Sequence, residues 1–249
     1  MRFTKMHGLG NDFVLVDDDV DVTHDLVRAL CDRHFGVGAD GVLSVGVRHN
    51  RVVMGYWNAD GSEAEMCGNG LRCVARVAVD RGLAQPGEFE VDTPAGPRRV
   101  RVTGDIRVDL GVPVIGDMIE VGGRFYRNVS VGNPHAVVEV DDVAAVQVAD
   151  IGRDLQSHYP SGVNVEFVRL DGAAVVMRVW ERGVGETLAC GSGIVAAAAV
   201  ARRNGGGDAI EVSMPGGTAQ VVFEDGGAWL VGPATYVFEG EWPSGEPAA

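Results

Sequence analysis

Two cysteines, Cys67 and Cys190, lie 123 positions apart in this chain of 249 residues, and each opens a glycine-punctuated apolar stretch. The stretches are YWNADGSEAEMCGNGLRCVARVAVDRG (56–82) and VWERGVGETLACGSGIVAAAAVARRNG (179–205). At that one offset Trp57 falls on Trp180, Asn58 on Glu181, Gly68 on Gly191 and Gly70 on Gly193. A helix start favours thiolate, drawing a free-cysteine pKa of about 8.5 toward neutrality. The amides of Gly68, Asn69, Gly191 and Ser192 have no intrahelical acceptor there. Converging from two helices, such amides make a cradle for a carboxylate. A carbon fixed by its carboxylate between two sulfurs can lose a proton from one face and regain one on the other. Read singly, each cysteine is equally an ordinary buried residue beside turn glycines. The pair, at one repeat offset, points to chemistry.

The duplication runs further. GNDFVLV (10–16) matches GNPHAVV (132–138), which sets Asn11 against Asn133, while Gly41 and Asn164 each lead an apolar run. Apolar alternation predicts strands at Phe13–Val16, Val42–Val47, Val52–Trp57, Val137–Val140, Val165–Val168 and Val175–Trp180. It recurs at Arg98–Val102, Arg107–Leu110, Ile210–Met214, Thr218–Phe223 and Trp229–Val231. Helical spacing marks Asp25–Cys31, Gly68–Asp80, Val143–Ala149 and Ser192–Arg203. The two cysteine helices are small and apolar nearly all round, so each must be buried within its half. The expected fold is α+β: two pseudosymmetric domains, each a strand-rich sheet or barrel wrapped around a central helix. Pro113 and Gly116 punctuate the boundary, giving halves at 1–114 and 115–235, with the tail 244–249 expected to fray.

Composition excludes several classes of function. A net charge of −14 leaves no basic stripe for nucleic acid. The longest apolar run, Ile194–Ala201, is far short of the ~20 residues of a membrane span. The start MRFTKMHGLGND lacks a signal peptide's apolar region, so the cytoplasm is the expected location. Lys5 is the sole lysine. A lysine-poor, acidic surface fits a high-salt cytoplasm and a biased genome composition equally well. The four cysteines show neither a C-x-x-C pair nor zinc-ligand spacing, so no metal is expected, and Cys31 and Cys73 read as small buried hydrophobes. HGLGND (7–12) and GVGADG (36–41) lack the strand–GxGxxG–helix context of a nucleotide loop. No lysine near any site is available for a pyridoxal phosphate Schiff base, and no cofactor is expected.

The same pairing lends weight to nearby polar residues. His135 in GNPH and Glu181 in WERG could tune a thiol by hydrogen bonding or charge. Arg182 is a forked cation suited to a second carboxylate. Asn11, Asn58, Asn133 and Asn164 could bind an ammonium or carboxylate, or simply close turns.

MHGLGNDFV, NADGSEAEMCGNGLRC, GNPH, WERGVGETLACGSG and the closing GPATYVFEGE (232–241) together resemble diaminopimelate epimerase, in order and over essentially the whole chain. The resemblance implies a pseudosymmetric two-domain fold, with the last strand (about 236–249) returning to the first half. It implies cofactor-independent interconversion of LL- and meso-diaminopimelate, a step toward lysine, by a two-base mechanism in a homodimer. Cys67 and Cys190 would be the base and acid, tuned by His135 and Glu181. Gly68, Asn69, Gly191 and Ser192 would cradle the reacting carboxylate, and Asn11, Asn58, Asn133, Asn164, Glu181 and Arg182 would bind substrate. Some members carry Gln where this chain has Gly41, which puts one substrate contact in doubt. A proline racemase-like enzyme is the nearest alternative, although a single-carboxylate substrate leaves Arg182 little to bind. A non-catalytic thiol protein switched by a Cys67–Cys190 disulfide is the alternative from another class.

Overall fold

The structure, a computed structural model, describes residues 1–64 and 66–243. The chain divides into two units, Met1–Val108 with Pro233–Ala249, and Asp109–Gly232. The tail 244–249 lies outside the described residues. The first unit runs β1 (Arg2–Gly8), β2 (Asn11–Asp17), α1 (His24–Cys31), β3 (Gly41–Arg48), β4 (Arg51–Asn58), α2 (Gly68–Asp80), β5 (Gly87–Thr93), β6 (Gly96–Val102) and β7 (Ile106–Asp109). The second runs β8 (Val114–Val121), β9 (Arg124–Ser130), β10 (Pro134–Glu139), α3 (Val148–Gln156), β11 (Asn164–Asp171), β12 (Ala174–Glu181), β13 (Gly185–Thr187), α4 (Gly191–Ala201), β14 (Ala209–Met214), β15 (Gly217–Glu224) and β16 (Gly227–Val231). The chain then returns to the first unit as β17 (Thr235–Glu241).

The two sheets follow one plan. In the first unit the strand order is β17-β1-β2-β3-β4-β5-β6-β7, parallel only at β2/β3 and β4/β5. In the second it is β8-β9-β10-β11-β12-β14-β15-β16, parallel only at β10/β11 and β12/β14, with β13 an extra short partner of β12. Even the registers correspond: Phe13 faces Gly41 across β2/β3, and His135 faces Asn164 across β10/β11. A parallel pair needs a crossover, and each crossover here is a helix. Two helices therefore serve each half, as expected for this α+β arrangement.

The helices take different faces. Leu71, Val74, Ala75, Val77 and Ala78 of α2 are fully buried, as are Ile194–Ala198 of α4, and each of these helices packs along several strands of its own sheet. The opposite face carries the amphipathic pair. Val27 and Leu30 of α1 pack on Val14, Val16 and Val42, with Trp57 alongside. Val148 and Leu155 of α3 pack on Ala136, Val138, Val165 and Phe167, with Trp180 alongside. Among the described residues no helix is long and apolar enough to cross a membrane.

One expected helix is displaced. Helical spacing suggested Val143–Ala149, but α3 spans Val148–Gln156. The carbonyls of Val143, Ala144 and Val146 accept hydrogen bonds from the Arg178 guanidinium on β12, which leaves them unavailable to a helix. The stripe that is buried is instead Val148, Gly152 and Leu155. Gly152 is required there, since a Cβ would come within 2.4 Å of the Trp180 ring. At the other end, α4 stops at Ala201 rather than Arg203, and Arg202–Gly206 forms a π-helical turn closed by Gly205 at φ 97°.

Lys5, the only lysine, is buried in β1 because it is paired there. Its Nζ meets Asp12 Oδ2 at 2.6 Å and also donates to the Gly38 carbonyl. Arg33 binds the other Asp12 oxygen at 2.8 Å and Asp40 at 2.7 Å. Burial pushes the Asp12 carboxyl up, but Arg33 and Lys5 outweigh it and hold the group at about 2, below its ordinary 3.8. A depressed carboxyl stabilises the fold above its unfolded value, and that contribution is lost as pH falls from about 4 toward 2. Asp12→Asn is therefore expected to cost about 2 kcal/mol at neutral pH and to flatten the acid limb of the stability profile, as read by denaturant melts at a series of pH values.

Candidate active site

Each cysteine is the N-cap of its half's buried helix. Cys67 caps α2 at φ −143°, ψ 113°, and Cys190 caps α4 at φ −121°, ψ 115°. A helix buried along its length still has first-turn amides without intrahelical acceptors. Those of Gly68, Asn69, Gly191 and Ser192 lie where the sequence placed them, at the first two positions of α2 and α4.

In the first unit Cys67 is half-buried. Its sulfur accepts from the Gly70 amide at 3.4 Å and donates toward Asn11 Oδ1 at 3.5 Å. Asn11 is held from two sides. Its Nδ2 donates to Asp40 Oδ2 at 2.8 Å, and its Oδ1 also accepts from Asn69 Nδ2 at 3.3 Å. Asn69 is oriented in turn by Arg72, whose Nη2 donates to Asn69 Oδ1 at 2.9 Å. Arg72 is fully buried, and desolvation brings its guanidinium down to about 10, still charged at neutral pH. Asn58 closes a turn, with its Nδ2 on Ser62 Oγ at 3.0 Å. Gly41 admits no side chain on this backbone, because a Cβ would come within 2.5 Å of the Trp57 carbonyl.

In the second unit Cys190 is buried, with Ser192 Oγ 3.6 Å from its sulfur. Asn133 Nδ2 donates to Ser192 Oγ at 3.3 Å, and Asn133 Oδ1 meets His135 Nε2 at 2.9 Å. His135 Nδ1 meets Glu166 Oε1 at 2.7 Å, with both side chains fully enclosed. Burial raises the Cys190 thiol well above its usual range, and the Glu181 and Glu166 carboxyls push the same way. The Ser192 hydroxyl and the Gly193 amide oppose that rise. Burial likewise raises Glu181, against hydrogen bonds from Thr187, at 2.5 Å, and from Cys190. Asn164 is spent as a brace, donating to the Pro134 carbonyl at 3.2 Å and accepting from the Arg182 amide at 2.9 Å. It thereby ties the GNPH segment to the end of β12. Arg182 Nη1 donates to the Ser161 carbonyl at 3.1 Å, and its stem lies against Gly162.

Asn133, His135, Glu181, Cys190 and Ser192 thus form one connected cluster, with Asn164 and Arg182 at its border. Asn11, Cys67 and Asn69 form another in the first unit. Pattern reasoning passed over Glu166, Arg72 and Asp40. Glu166 had a signal, a lone acid inside the apolar run NVEFV.

The family model for diaminopimelate epimerase matches residues 3–116 and 127–237. The chain belongs to the diaminopimelate epimerase family. It is an enzyme, an isomerase of the epimerase type. Among curated relatives, diaminopimelate epimerase of Alkalilimnicola ehrlichii is 42% identical, with 97% of this chain and 98% of that protein covered. O-ureido-serine racemase of Streptomyces lavendulae is 45% identical, over 96% and 94%. The fold is shared with a predicted epimerase of Pseudomonas aeruginosa at TM-score 0.76 and 15% identity, over 98% of this chain and 99% of that one.

Within the Cys190 cluster, Gly193 permits a close approach. A Cβ there would lie 2.7 Å from Glu166 Oε1 and 3.4 Å from the Cys190 sulfur. Gly193→Ala is expected to displace both groups and lower kcat about tenfold or more, with the melting temperature changed far less, as measured by steady-state turnover beside a thermal melt.

Proposed function

We propose that the chain interconverts LL- and meso-2,6-diaminopimelate by two-base proton transfer, as a cytoplasmic homodimer supplying lysine biosynthesis. The observation that carries this reading is the repeated one: a cysteine N-cap on the buried helix of each half, followed by two amides without helical acceptors. Family membership supports the substrate.

In the proposed reaction the substrate's reacting carboxylate accepts hydrogen bonds from the amides of Gly68, Asn69, Gly191 and Ser192. One cysteine, as thiolate, takes the Cα proton and becomes a thiol. The electron pair left on carbon spreads into the carboxylate, where the amides stabilise the growing charge. The opposing thiol delivers its proton to the other face and becomes thiolate. Protons balance, and the protonation of the two sulfurs is exchanged at each turnover. Asn11 sets the direction of the Cys67 S–H bond, while Glu181 and His135 govern Cys190. Arg182 is assigned to the distal carboxylate.

The Streptomyces lavendulae relative favours a second reading, racemisation of an amino acid with a ureido end in place of the second carboxylate. The two readings share the cysteine pair and differ at the distal end of the substrate. In deuterated water, LL-diaminopimelate is expected to gain one deuterium at the inverted carbon, and Cys67→Ser/Cys190→Ser to abolish exchange. Faster turnover of O-ureido-serine or of proline would overturn the diaminopimelate assignment. Each single Ser variant is expected to lose most epimerisation yet still eliminate HX from one configuration of a β-substituted analogue, which needs one base only. Opposite configurational preference in the two variants is the expected result, and the same preference in both would sink the two-base scheme.

A further inference from the structure

Glu166 is an acid at the centre of β11 with no exposed surface. Its Oε2 has no hydrogen-bond partner among the described residues, so its single partner is His135. A half-satisfied carboxyl sealed from water is costly. Space is nevertheless kept for it by Gly193 in the α4 first turn, whose Cβ would strike it.

The geometry fixes where hydrogens lie. His135 faces a carboxyl oxygen at Nδ1 and the Asn133 amide oxygen at Nε2. Asn133 Oδ1 can only accept, so the hydrogen between it and His135 lies on Nε2, and the 2.7 Å contact between Nδ1 and Glu166 Oε1 holds a proton on one group or the other. The Asn133 NH2 group is thereby turned to Ser192 Oγ, which accepts. The remaining Ser192 hydrogen is free to point at the Cys190 sulfur. Three hydrogen bonds, His135 to Asn133, Asn133 to Ser192 and Ser192 to the Cys190 sulfur, run in one direction, with Glu166 behind the first.

We propose that Glu166 is a positioning residue for Cys190, which through His135 and Asn133 keeps the Ser192 hydroxyl aimed at the cysteine sulfur. The meaning for catalysis rests on the two-cysteine reading above. The alignment itself does not. Within this half the titratable groups facing the sulfur are Glu181 on β12, Glu166 on β11 and, behind Asn133, His135 on β10.

The test follows Cys190 alone, in a Cys67→Ser background, by the pH dependence of iodoacetamide labelling of its peptide in mass spectrometry. In Glu166→Gln an amide can offer Nδ1 either a donor or an acceptor, so the chain loses its fixed direction. The labelling midpoint is expected to rise by about 0.5–1 pH unit, the scale of one ordinary hydrogen bond. Asn133→Ala and Ser192→Ala should raise it similarly, and Glu166→Gln added to either should change nothing more. If Glu166 acted only through its field, removing its charge would lower the midpoint, and the effect would persist beside Ser192→Ala. Either result overturns the proposal. Should Glu166→Gln fail to fold, Asn133→Ala and Ser192→Ala still decide it, since an unchanged or lowered midpoint in both leaves no aligned donor. Labelling needs no substrate, so a failed epimerase assay leaves this result intact.

Discussion

A helix buried along its whole length must leave its first amides somewhere, and that constraint organises both halves of this molecule. α2 and α4 contribute mostly apolar side chains, lodged within their sheets, so their unpaired N–H groups cannot be dissolved in water along the helix flank. They open instead at the helix start, beside a sulfur that caps it. A sulfur and a set of open amides at one helix start are therefore two aspects of one packing solution. The parallel strand pairs that flank each buried helix are part of the same solution, because a parallel pair requires a crossover and the crossover is the helix.

The halves agree in backbone and disagree around sulfur. Cys67 faces an amide oxygen whose orientation is set by an anion, Asp40, on one side and by a buried cation, acting through Asn69, on the other. Cys190 faces a hydroxyl and two carboxyls in a more enclosed setting. The internal repeat supplies equal frames. At paired positions Glu181 and His135 stand where the first half has Asn58 and Phe13, and both belong to the cluster around Cys190.

The parts of this organisation that were legible in sequence were those with a period or a repeat. α2 could be delimited to the residue because its apolar run starts at a cap and ends at Arg81–Gly82. β1, β8, β9 and β13 had no usable pattern, whereas the acid–apolar alternation of β5 was a strand signal passed over. β1 hides a lysine among its buried residues, and β8 is largely exposed. Among site residues, the cysteines and glycines announced themselves through the repeat, whereas Asp40, Arg72 and Glu166 act through partners distant in sequence. Their importance lies in hydrogen bonds, and only folding brings those together.

The closing strand carries a consequence for how the chain is made. β17 lies beside β1, with Met1 N donating to the Trp242 carbonyl at 2.9 Å and Trp242 N to the Met1 carbonyl at 2.7 Å. In the other half the matching edge is β8, which is adjacent in sequence to its neighbour β9. On the ribosome the second unit has all its strands once Val231 has emerged, while the first unit, synthesised earlier, waits with β1 as a bare edge until Glu241 is out. The order of completion thus reverses the order of synthesis, and for the span of more than half the chain the nascent protein carries an open strand edge, the kind of surface that chaperones shield and aggregation exploits.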